Sequence, residues 1–166
     1  MIKSLASFDT TLKKFLISYI ILLIIGMSVG LIYLHETTKA TKEGTVEQIR
    51  GSEVSDEFQI PSKYPKGINE LLISTHNHIF GMGFIFFSLG VIFYFSTING
   101  FWKSFLLIEP LVSTIVTFGS IWLIRFVDKN FVYLTIVSAI LMYTSFFAMS
   151  IICLYELGVK KIKTTF

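Results

Sequence analysis

The chain has 166 residues, of which 53% are hydrophobic, 16% aromatic and only 15% charged, with a mean hydropathy of +0.71. Soluble domains carry about 25% charged residues, so the missing charge and the surplus of Phe, Ile and Leu point to lipid as the solvent. The net charge of +3 is small and gathers at the chain ends, which speaks against nucleic acid as a partner. The single cysteine, Cys153, sits in an apolar run. It excludes an intramolecular disulfide and a thiolate cluster, and reads as a small buried hydrophobe.

Four apolar runs predict an all-α, integral-membrane four-helix bundle, with residues 1–166 as one membrane domain. The helices fall at about 15–34, 76–96, 105–125 and 131–155. Runs of this length can span the hydrocarbon core. Within it every backbone N–H and C=O must be paired internally, so each run is expected to be helical despite its β-branched residues. The first run is longer than a signal-peptide core and no small-x-small site follows it, so it reads as a retained helix. The second has a polar approach that can carry the helix back to Ile68.

Lys3, Lys13 and Lys14, then Lys103, then Lys160, Lys161 and Lys163 flank the runs on one side. By the positive-inside rule both termini are cytoplasmic. The segment 35–75, with seven acidic residues against five basic ones, faces outward. Arg125 and Lys129 lie outside and count against this orientation. Asn99-Gly100 and Asp128-Lys129-Asn130 close short hairpins, so helices two to four are expected as antiparallel neighbours. The polar loop of about 41 residues after helix one, with Pro61 and Pro65, is too small for a core of its own. A loop that long is usually functional or disordered.

Gly26-x-x-x-Gly30 marks a close-packing face on helix one. Helix two carries Glu70, Ser74, Asn77, Gly81 and Ser88 on one face, with His78 and Met82 at its edge. Helix three carries Glu109, Ser113, Thr117 and Ser120, and helix four Thr135, Ser138, Met142, Ser145 and Met149. These polar faces are expected to meet in the bundle interior. They serve either interhelical hydrogen bonding or a cavity for a cofactor or quinone. Glu109 is an acid within a span, a functional candidate by default. Pro110 follows it, however, and proline favours the first turn of a helix. The helix is therefore expected to begin at Pro110 with Glu109 at the interface. The alternative is a proton or quinone-hydroxyl partner.

His35 closes helix one, and His76 and His78 open helix two, so all three histidines are expected near the outer face. Residues two apart in a helix point about 200° apart, so His76 and His78 cannot share a mononuclear site. His78 and Met82, four apart, share a face. A site bridging helices one and two can then hold a b-type haem between His35 and His78 or His76. The same residues, His35, His76 and His78, can instead hold copper (with Met82) or zinc. A third reading has no cofactor: the histidines hydrogen-bond at the interface, with Ser74 or Thr75 as N-cap of helix two. No nucleophile–base pair, phosphate loop or zinc-hydrolase motif is present, so the chain does not read as an enzyme on its own.

Several segments resemble a group of small bacterial inner-membrane proteins with four predicted helices. They are Gly30-Leu31-Ile32-Tyr33, Arg50-Gly51-Ser52-Glu53, Glu70-Leu71-Leu72, and Thr75-His76-Asn77-His78 with Met82 and Gly90. The similarity covers roughly the first 95 residues, and its most specific part is Thr-His-x-His-x-x-x-Met. It implies the fold, a multi-pass place in a bacterial inner membrane and a role for the His-x-His segment, but no activity. Three functions follow as expectations. One is a respiratory-membrane protein holding haem b or a metal ion near the outer face, for electron transfer or as a subunit of an oxidoreductase complex. Another is a cofactor-free accessory or assembly subunit, and the third a metal-ion carrier. Lipid is the expected surrounding; an oxidoreductase subunit, a quinone or a second copy of the chain are the candidate partners.

Overall fold

The computed structural model describes residues 4–53 and 60–159. Five α-helices follow one another: α1 (Thr10–Thr38), α2 (Lys42–Arg50), α3 (Ile68–Tyr94), α4 (Phe101–Phe126) and α5 (Val132–Gly158). Short 3-10 turns at Leu5–Ser7 and Lys129–Phe131 precede α1 and α5, and no strand occurs among the described residues. Four of the helices are long and apolar enough to cross a membrane. At ~1.5 Å per residue even the 26 residues of α4 extend about 39 Å, past a hydrocarbon core of about 30 Å.

Helix α1 overruns both of its predicted ends and α3 its predicted start, for local reasons. Asp9 caps α1 by accepting from the backbone of Thr11 and Leu12 (2.9 and 3.0 Å), which starts the helix before its apolar run. Lys39 ends α1 in the left-handed region (φ 54°). Gly67 is the N-cap of α3, and its N–H donates to Glu70 Oε2 at 3.2 Å. The predicted cap at Ser74 or Thr75 is therefore incorrect, and His76 and His78 lie more than two turns inside α3. The polar approach does carry the helix back to Ile68.

Pro110 lies inside α4, not at its start, which corrects the expectation for Glu109. Proline has no N–H for the preceding turn, but lipid-embedded helices tolerate it where neighbours pack around it. Pro110 is buried, and its carbonyl accepts from Thr114 Oγ1 at 2.7 Å.

The tightest packing is between α4 and α5. The polar stripes predicted for these two helices meet there. Thr117 Oγ1 donates to Ser138 Oγ at 2.8 Å, and Ser120 and Thr135 share a hydrogen bond of 2.6 Å. The apolar core gathers Phe86, Leu89 and Phe93 of α3 with Phe146 and Met149 of α5 and Ile20 of α1. One end of the bundle is tied by Leu5 N–H to Phe95 O (3.0 Å) and by Thr97 N–H to both Glu156 carboxylate oxygens (3.0 and 3.1 Å). Lys13, Lys14 and Lys103 belong to this end; Lys3, Lys160, Lys161 and Lys163 lie outside the described residues.

The other end carries a structured cap. Helix α2 and residues 60–66 lie over the ends of α1, α3, α4 and α5. Ile49 packs on Ile124 and Val132. Lys42 Nζ donates to Tyr133 Oη (3.0 Å), Lys63 Nζ to Thr37 O (2.9 Å), Lys66 N–H to Ile49 O (3.1 Å) and Arg125 Nε to Lys66 O (3.0 Å). The predicted long loop thus contains a nine-residue helix with its own ties.

Candidate functional site

Beneath that cap lies a cavity of about 480 Å³ between α1 and α3, closed at the back by α4 and α5. Helix α1 packs on α5 and α2 but touches α3 only sparsely. The two meet lower down, where Tyr19 Oη donates to Ser88 Oγ at 2.6 Å. Above that contact they part. The rim is polar, with Thr37, Gln48, Lys66, Ser74 and Asn77. The depth is apolar, with Met27, Met82, Ile85, Phe118 and Met142, and Tyr143 brings a phenol into it. This gradient suits a ligand with a polar edge and a greasy body.

His78 is the histidine that lines the cavity. Its Nδ1 lies 2.7 Å from Ser74 O, one turn back. A carbonyl can only accept, so Nδ1 carries the hydrogen and Nε2 keeps its lone pair in the neutral ring. The imidazole is also stacked on Phe118, with centroids 4.5 Å apart and planes 27° from parallel. One nitrogen is thereby oriented and the other is left as an acceptor or ligand, the arrangement in which proteins present a histidine to a metal.

The remaining candidates separate. Met82 lines the cavity one turn beyond His78. His76 is exposed on another face of α3, its ring 4.8 Å from that of Phe80. His35 lies in the last turn of α1, exposed, with Nδ1 3.4 Å from Glu36 Oε1. Neither lines the cavity. The bridge between His35 and His78 or His76 predicted for a haem is therefore not formed. His35 points away because the rotation of α1, set by its packing on α5, turns Gly26, Met27 and Gly30 to the cavity instead. Among the described residues no group of three His, Cys, Asp or Glu side chains is gathered to hold a metal ion.

Glu109 is half-buried within the α4–α5 seam, about 12 Å along its helix at ~1.5 Å per residue. It accepts from Ser113 Oγ and Ser145 Oγ. It does not line the cavity.

Gly26 and Gly30 also differ from expectation. A Cβ on Gly26 would meet nothing within 4 Å, and one on Gly30 only the Tyr143 hydroxyl at 3.5 Å. The two glycines face the cavity, not a helix contact. Tyr143 was not singled out from sequence. A phenol in an apolar helix needs a polar neighbour, and that was the available signal.

A family model described as a transmembrane helical domain, Aq_1264_TM, matches residues 39–164. The matched stretch takes in α2 to α5, including His76, His78 and Met82, and leaves α1 outside. No curated protein and no solved structure matches the chain.

Proposed function

Since the chain belongs to the Aq_1264_TM transmembrane helical domain family, and so sits in a bilayer as a multi-pass protein, we propose that it holds one b-type haem in the cavity beneath α2, where His78 would hold the group through Nε2. The observation that carries this reading is the hydrogen bond from His78 Nδ1 to Ser74 O at 2.7 Å. It fixes the tautomer that leaves Nε2 free for iron. The surroundings fit the group. Lys66 stands at the covered, polar end, where ring carboxylates would meet a cation, and Met27, Met82 and Phe118 offer apolar walls to a macrocycle. With His35 and His76 outside the cavity, His78 would be the imidazole that holds the group. When bound, the haem supplies one-electron chemistry. The chain's own residues orient His78, keep water from the ring's inner edge and hold its polar edge near the outer face.

The setting proposed is a bacterial cytoplasmic membrane, both termini inside, with the protein serving electron transfer or an oxidoreductase complex. The Lys13, Lys14 and Lys103 end supports that orientation. The test is an absorption spectrum of the protein purified in detergent from haem-replete cells, oxidised and then dithionite-reduced, with metals assayed on the same sample. A Soret band with one iron per chain is expected. A loaded preparation with neither sinks the haem reading.

A second reading rests on the same free Nε2. A lone-pair acceptor also suits the hydroxyl of a quinol-type ring, and organic extraction of the same sample would then yield a stoichiometric ring compound with no iron.

A further inference from the structure

The cavity has two conceivable openings, and they differ sharply in construction. Toward water it is covered by α2 and residues 60–66. Thr45, Gln48 and Ile49 of α2 line its upper wall. That cover is fastened on three sides, to α1 through Lys63 and Thr37, to α4 through Arg125 and Lys66 O, and to α5 through Lys42 and Tyr133. Ser52 and Ser62 brace it from within: Ser52 Oγ lies 2.6 Å from both Glu47 Oε1 and Ser62 Oγ, and Ser52 N–H donates to Lys63 O at 2.9 Å.

Toward lipid the described residues make no such closure. From the Tyr19–Ser88 contact outward, the facing surfaces of α1 and α3 include Gly26, Gly30 and Gly81 beside Met27 and Met82, and a Cβ on Gly26 or Gly81 would meet nothing within 4 Å. Asn77, His78 and Gly81 are exposed along this gap, although His78 is ten residues, or about 15 Å, into a spanning helix. Polar side chains of a spanning helix normally face a bundle interior or a filled cavity. Here they face a slot between two helices that a bilayer surrounds.

We infer that the cavity is loaded sideways from the bilayer through the gap between α1 and α3, so that its ligand is a molecule dissolved in lipid and not a water-borne one. This rests on the ligand-binding reading above and narrows its class: the ligand must partition into the membrane before it meets His78. The covered end then serves to keep water away from His78 once the ligand is seated.

Two measurements decide it. The first is independent of which ligand binds. Gly26→Cys and Gly81→Cys, each reconstituted in phosphatidylcholine vesicles, are treated with a lipid-soluble maleimide or with a charged, membrane-impermeant methanethiosulfonate. Cys153 is fully buried and stays silent. Labelling by the lipid-soluble reagent at least tenfold faster is expected. Equal or faster labelling by the charged reagent overturns the inference. So does a disulfide between Gly26→Cys chains, which would mean that a second copy closes the gap. The second measurement follows the uptake of haem dissolved in donor vesicles. Gly26→Trp and Gly81→Trp should slow it at least tenfold, while Lys63→Ala and Arg125→Ala, which release two ties of the cover without lining the cavity, leave it within about twofold of the parent, all four variants first matched for thermal stability. Uptake at least tenfold faster in the cover variants, with no slowing by Gly26→Trp or Gly81→Trp, overturns lateral loading. If the parent takes up no haem at all, the haem reading fails, and the thiol measurement still decides the route.

Discussion

The Tyr19 hydroxyl donates to Ser88 Oγ at 2.6 Å, joining α1 to α3 just below the level at which the two helices separate. Interhelical hydrogen bonds of this kind contribute on the order of 1 kcal/mol. Tyr19→Phe keeps the ring and removes the bond. Its expected effect is a loss of about 1 kcal/mol in unfolding from mixed micelles, together with faster labelling of a thiol at position 26. Unchanged labelling with reduced stability would show that the bond steadies α1 without setting the width of the gap.

The three histidines should respond unequally. His78→Ala is expected to abolish the Soret band, because it removes the imidazole that lines the cavity. His35→Ala and His76→Ala should leave band position and intensity unchanged, since both rings lie outside the cavity. Loss of the band in His35→Ala would restore a ligand bridge between α1 and α3 and contradict the arrangement described above.

Acid should loosen the cover. The Ser52 hydroxyl, donating to Glu47, holds that carboxyl below its usual range; partial burial opposes this, and Lys63 and Ser62 add to it. A carboxyl with a lowered folded-state pKa contributes stability that is present above its unfolded value and is lost as pH falls through the folded one. Amide exchange at Ser52 and Lys63, corrected for its intrinsic pH dependence, should therefore accelerate as pH drops below the ordinary carboxylate range. Glu47→Gln should flatten that response, and an equal response in the variant would show that another group controls the cover.

Glu109 accepts from Ser113 and Ser145 across the α4–α5 seam. Glu109→Ala leaves both hydroxyls without that acceptor and is expected to destabilise by about 1–3 kcal/mol. Glu109→Gln keeps a carbonyl oxygen in place and should cost less than about 1 kcal/mol. Denaturation of the two variants in one detergent compares them directly. Equal losses would mean that one carbonyl oxygen does not suffice and that both carboxyl oxygens matter at this position.

The spans could be read from sequence because lipid leaves so few choices. A long apolar run must be helical, and its length fixes how often the chain crosses. The α4 and α5 stripes were legible for the same reason, since Thr117, Ser120, Thr135 and Ser138 must find partners and find one another. Pro110 misled because the rule for helix starts comes from helices whose ends meet water, whereas α4 carries its proline inside packed neighbours. Helix α2 has nine residues and no long apolar run; tertiary ties hold it, and nothing in its own pattern announces it. The azimuth of α1 was equally invisible. An almost uniformly apolar helix has no stripe to orient it, so only its packing on α5 and α2 shows that Gly26 and Gly30, and not His35, face the cavity.

One wall of the cavity stands on α1, outside the stretch matched by the family model, and the His78 wall stands inside it. Chemistry and shape therefore sit on different helices. A side-chain substitution confined to residues 26–34 reshapes the receptacle without touching the imidazole, its Ser74 acceptor or the Lys63–Thr37 tie of the cover. Altering α1 is thus a route to new preferences on an unchanged frame.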